Sequence, residues 1–118
     1  MDASRNIYAV DFGGNAINIC AAGTSTLLGT ISGSNTQLNC PIAVEIDAQG
    51  RIYVTNDNVE TITVYAPGAR GNVAPIAVIS GISTNMTYID GFGITSAGGL
   101  VVADKTNKVL RFAPLFTP

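Results

Sequence analysis

Three stretches of the chain are diverged copies of one another. Asp2-Ala-Ser-Arg-Asn-Ile-Tyr-Ala-Val returns as Asp47-Ala-Gln-Gly-Arg-Ile-Tyr-Val-Thr and again as Thr95-Ser-Ala-Gly-Gly-Leu-Val-Val-Ala, at offsets of 45 and 48 residues. Self-similarity at such a period marks folds built by stacking one supersecondary unit on the next. The 118 residues allow a single domain. Its units fall at about 1–33, 40–81 and 88–118.

The units are made of strands. No segment sustains an apolar helical period. Short β-branched and aromatic runs are instead separated by turn residues every 8 to 12 positions, as in all-β proteins. The middle unit reads as four strands, a (42–46), b (51–55), c (61–66) and d (75–80). The first unit supplies only b (6–10), c (16–20) and d (28–32), and the last only a (91–95), b (99–103) and c (108–112). Asn56-Asp57-Asn58 forms a polar turn between b and c, and Ala66-Pro67-Gly68 ends c. Strands b and c are apolar at successive positions, as in Ile7-Tyr-Ala-Val and Leu100-Val-Val-Ala, which predicts sheets buried on both faces. Four antiparallel strands per repeat of this length fit a blade of a β-propeller. A sandwich of ten strands in two sheets is the alternative, and it needs no internal repeat.

The middle unit carries a recognisable pattern: Pro41, Val44, Ile46, Asp47, Gly50, Ile52 to Val54, Ile62 to Gly68, and Ile79-Ser-Gly. Together with Gly71-Asn-Val-Ala-Pro-Ile-Ala-Val-Ile-Ser-Gly it resembles the NHL-type β-propeller repeats, above all those found in tandem in large bacterial proteins. The resemblance implies an all-β partial β-propeller of about two and a half four-stranded blades (bcd, abcd, abc). It also implies an extracellular parent family. It implies little about chemistry, because such propellers host unrelated activities. The outer copies depart from the pattern: Arg5 stands where the a–b turn has Gly, Thr95 replaces the turn Asp, and Ile89 stands at the Pro41 position.

Two and a half blades do not close a ring, since propellers need at least four. Open ends expose apolar faces and strand edges, which promote association. The chain is therefore expected either to belong to a longer protein or to form a homo-oligomer. A head-to-tail dimer would make six blades, the number usual for the NHL type, and an open filament is its neighbour.

Candidate sites are few. Histidine is absent, which removes the commonest general base and metal ligand and excludes a Ser-His-Asp triad within the chain. Glu45 is unusual in strand a, where the last copy has Gly93. In the related six-bladed lactonases of the senescence-marker and gluconolactonase type, a glutamate in that place helps hold a divalent metal. Glu45 is thus a weak metal-ligand candidate, against the plainer expectation of a solvated channel carboxylate. Asp11, Asn56, Asp57 and Asp104 recur after strand b and are candidates for binding at a propeller mouth, against turn stabilisation, which also accounts for them. Phe12-Gly-Gly-Asn and Gly91-Phe-Gly precede no helix, so neither is expected to cradle phosphate. Cys20 and Cys40 replace Tyr65 and Tyr88 in the repeat and read as two small buried thiols, with a disulfide as the alternative. Asn85-Met-Thr is a formal glycosylation acceptor.

Only 12% of residues are charged, the net charge is −2, and six basic residues are dispersed, so nucleic acid is not an expected partner. No apolar run reaches the roughly 18 residues of a membrane span, and Met1 is followed at once by Asp2 with no signal peptide. The expected function is a non-enzymatic repeat module acting as a scaffold or self-association unit, without cofactor. The alternatives are part of a metal-dependent lactonase-like enzyme, or a lectin-like surface binder.

Overall fold

The computed structural model describes residues 4–57, 61–79, 89–95, 98–104 and 108–113. It is all-β, with three antiparallel sheets in chain order. The first sheet holds β1 (Ile7–Asp11), β2 (Ala16–Cys20) and β3 (Leu27–Ser32). The middle sheet holds β4 (Pro41–Ile46), β5 (Ile52–Asn56), β6 (Thr61–Tyr65) and β7 (Ala77–Ile79). The last holds β8 (Ile89–Ile94), β9 (Leu100–Asp104) and β10 (Lys108–Phe112). Among the described residues the strands thus number three, four and three, as the repeat predicts. The two-sheet sandwich is not the arrangement. Strand β7 starts later than expected because Pro75 has no N–H to pair; the Ile76 N–H donates to Val64 O, and regular pairing starts at Ala77.

The first two hairpins share one register, and the third pairs the same strand-entry position across a connection one residue shorter. Ile7 lies opposite Cys20, Ile52 opposite Tyr65, and Leu100 opposite Phe112. Their entry turns also match: Gly50 and Gly98 take φ of 87° and 88°, and Arg5, at the same place in the first copy, takes 65°. In the middle sheet the turn is organised by the Asp47 carboxylate, whose side chain is only 3% exposed. It accepts the N–H groups of Gln49 and Arg51, the Arg51 Nε–H at 2.7 Å and the Tyr53 hydroxyl at 3.1 Å. Thr95 keeps the backbone part of that design, its hydroxyl accepting the Gly99 N–H at 2.9 Å.

Side-chain alternation divides the middle sheet between two cores. Every residue of β5 is buried. Ile52, Val54 and Tyr65 pack with Ile17, Ile19, Ile31 and Leu38 on the first-sheet side. Tyr53, Ile62, Val64 and Ile79 pack with Leu100 and Val102 on the other. A strand with period-two side chains buries both sets only if a neighbour lies on each face. At roughly 1.5–3 kcal/mol for each fully buried aliphatic side chain, these two interfaces outweigh the single described ion pair, Arg51–Asp47.

The segment after β6 ties the first two sheets together. Gly71 bridges in parallel to Ile31; its N–H donates to Thr30 O at 2.7 Å and its carbonyl accepts the Ser32 N–H at 3.2 Å. Arg70 lies over Gly29 and Asn72 against Gly33, where a Cβ on either glycine would collide with the neighbouring side chain. Strand β4 lies next to both β1 and β8. Among the described residues no helix is long and apolar enough to cross a membrane.

Candidate functional site

Asp11 and Asp57 sit at the hairpin ends of β1 and β5, and the linker between β3 and β4, residues 33–40, joins those ends. Asn15, at φ 49°, accepts the Cys40 N–H on Oδ1 at 2.8 Å, while the Cys40 carbonyl accepts the Asp57 N–H at 3.0 Å. The Asp11 carboxylate is exposed and accepts the Gly14 N–H at 2.9 Å, an Asx-type turn bond. Asp57 is half-buried. Asp104 ends β9 opposite Lys108, at the corresponding hairpin position, and the placement of its side chain lies outside what is described.

Asn56 is placed differently from its three companions. It is fully buried, because the linker 36–40 crosses the first-sheet face of β5 and β6. Its Oδ1 accepts the Asn39 N–H at 3.0 Å, and its amide donates to Thr63 Oγ1 at 3.1 Å. Thr63 Oγ1 lies 2.9 Å from the Tyr65 phenol oxygen, and the phenol donates its one proton to Thr36 O at 2.6 Å. The threonine hydroxyl is therefore the donor to the phenol. The circuit runs from Asn39 through Asn56, Thr63 and Tyr65 back to Thr36, satisfying buried polar groups that would otherwise be costly. Burial pushes the Tyr65 phenol from its usual 10 up to about 12, with the Thr63 hydroxyl pulling the other way. The carboxamide of Asn56 is thus occupied inside the fold. Local turn chemistry gave no sign of this, because Asn39 and Thr36 come from distant sequence.

Glu45 is exposed on β4, opposite Tyr53. The matching Gly93 on β8 faces open space. Among the described residues no group of three or more acids, cysteines or histidines gathers to hold a metal. Cys20 and Cys40 are free thiols and both are half-buried, so the disulfide alternative is not formed. Phe12–Asn15 is a hairpin turn and Gly91–Gly93 lies within β8, neither of them before a helix. Asn85 lies outside the described residues, as does Tyr88.

The ends of the stack are the remaining surfaces of note. Ile7, Cys20 and Leu27 form a cross-strand row on the outward face of the first sheet. Ile7 is 46% and Leu27 58% exposed. Beside them a shallow open hollow of about 380 Å³ is lined by Arg5, Ile7, Ala22 and Gly23. On the outward face of the last sheet, Val109 is 64% exposed and Arg111 is exposed. No protein-family model matches the chain, and no characterised protein matches its sequence.

Proposed function

We propose that the chain is a non-catalytic structural repeat module, a partial β-propeller of NHL type with strands bcd, abcd and abc, which works by association through the open ends of its sheet stack. One observation carries this reading: the row of residues buried in the middle and last sheets, Ile52–Tyr65 and Leu100, has its counterpart at Ile7–Cys20–Leu27 in the first, where Ile7 and Leu27 are exposed and Cys20 is half-buried. A monomeric surface seldom leaves a repeat's core row in water without a partner for it. The partner is either a further copy of the chain or neighbouring repeats of a parent protein.

Light scattering on the purified 12.1 kDa chain tests this. A mass at least twice that value, rising with concentration, supports it. A folded, stable monomer at all concentrations sinks it. The same preparation separates the lactonase-like reading. A metal-dependent enzyme would gain thermal stability from calcium or zinc and lose that gain in Glu45→Gln.

A further inference from the structure

We propose that the outward faces of the first and last sheets are the two halves of one joint, so that a second copy of the chain seats its last sheet on the Ile7–Cys20–Leu27 row of the first. The inference rests on the association reading above and names its partner and polarity.

The repeat supplies the reason. Within one chain the first sheet covers the face of the middle sheet that bears Ile52, Val54, Thr63 and Tyr65. Those positions correspond, at an offset of 45, to Ile7, Ala9, Asn18 and Cys20, which share the outward face of the first sheet. The middle sheet in turn covers the last sheet with Tyr53, Ile62 and Val64. On the last sheet, Val101 and Arg111 pair in the register in which Tyr53 and Val64 pair. They lie on its outward face, away from Leu100 and Val102. Each end is therefore one half of an interface that the molecule already forms twice inside itself. Like-with-like stacking has no internal precedent in the fold. Such a contact is heterologous, so it closes into a ring or runs on as a filament.

Two details fit the first-sheet face to a visitor. Tyr65 fills its interface with a phenol ring, whereas Cys20 stands there with a small thiol. The Arg5, Ile7, Ala22 and Gly23 hollow lies beside it, at positions that correspond to Gly50, Ile52, Pro67 and Gly68. The incoming sheet thus meets a recess instead of a filled surface. Size sets the strength. Three five-residue strands about 4.8 Å apart, rising about 3.3 Å per residue, cover roughly 240 Å². A stable complex usually buries about 800 Å² per partner, so one joint alone is weak and concentration-dependent. Ring closure adds a second joint at high effective concentration.

The test uses two blocked variants, Ile7→Glu/Leu27→Glu on the first sheet and Val109→Glu on the last. All three sites are exposed, and circular dichroism with a denaturation midpoint confirms the fold. If either variant loses its fold, the corresponding lysine substitutions replace it. Sedimentation equilibrium is run on each variant alone and on their mixture, up to about a hundredfold above the wild-type midpoint to offset the lost second joint. The expected result is two monomers that recover a dimer, and nothing larger, only when mixed. Association of either variant by itself at the wild-type midpoint makes the joint like-with-like and overturns the proposal. So does a mixture that stays monomeric while the wild type assembles. A wild type that never assembles removes the association reading as well.

Discussion

Arg5 holds a backbone conformation that its two counterparts leave to glycine. At φ 65° an L-residue crowds its Cβ against the following carbonyl, a cost of about 1–2 kcal/mol that glycine avoids. Glycine loses some of that advantage through the greater freedom of its unfolded chain. Arg5→Gly is therefore expected to stabilise the fold by about 0.5–1 kcal/mol, read as a higher urea midpoint at unchanged slope. Thr55 is a second residue at odds with its surroundings. It is fully buried on the face of β5 toward the last sheet, and no described group bonds its hydroxyl. The first copy has Val10 there. Thr55→Val should stabilise by about 1 kcal/mol, since it removes an unpaired buried hydroxyl at nearly constant shape. Tyr65 is the opposite case, a phenol fully used. Tyr65→Phe leaves Thr36 O without its donor and should cost about 1–3 kcal/mol at neutral pH. It should also change the alkaline limb. An unfolded tyrosine ionises near 10 and folded Tyr65 at about 12, so its contribution is intact below pH 10 and is lost as pH rises toward 12. Burial raises the Tyr53 phenol in the same direction. The Tyr65→Phe variant should therefore show a shallower fall in its denaturation midpoint across that window, with Tyr53 among the groups that keep part of the fall.

The turn from β4 to β5 shows how a strand connection can be specified by one side chain. Asp47 gathers two backbone N–H groups, a guanidinium and a phenol. Asp47→Ala should cost about 2–3 kcal/mol by thermal or chemical denaturation, because the carboxylate's charged hydrogen bonds are lost together. Asp47→Thr should cost clearly less, since Thr95 shows that a hydroxyl can serve the strand-entry N–H. A larger loss in the threonine variant would mean that the Arg51 and Tyr53 contacts dominate. Elements of this kind were readable from the sequence. Asp-Ala-x-Gly and Ala-Pro-Gly are local signals with local geometry, and all ten strands fall within a few residues of their expected places. The linker between β3 and β4 was not readable. Its single 3-10 turn at Ser34–Thr36 exists because Leu38 enters the first core and Thr36 meets Tyr65, contacts that no local pattern encodes. Asn56 was misleading for the same reason. A polar residue at a strand end looks like a turn residue until a distant segment covers it.

The two interfaces that join the three sheets are alike in apolar packing and different in how backbone crosses them. Between the first and middle sheets, Thr30, Ser32 and Gly71 exchange main-chain hydrogen bonds, and Asn72 Oδ1 accepts the Asn35 N–H at 2.7 Å. Between the middle and last sheets the described residues show packing alone, centred on Tyr53, Val64, Leu100 and Val102. Repeat symmetry predicted that the sheets stack. It did not predict this asymmetry, because the bridge depends on Gly71 taking φ 79° beside β3. The Ile31–Gly71 bridge thereby sets which part of the molecule opens first. Native-state hydrogen exchange should show the Ser32 and Gly71 amides protected together with β5 and β6, opening only with global unfolding. Amides of β9 and β10 should exchange through a separate, lower-energy opening in which the last sheet departs alone. Equal protection across all three sheets would show that packing by itself makes the stack one cooperative unit.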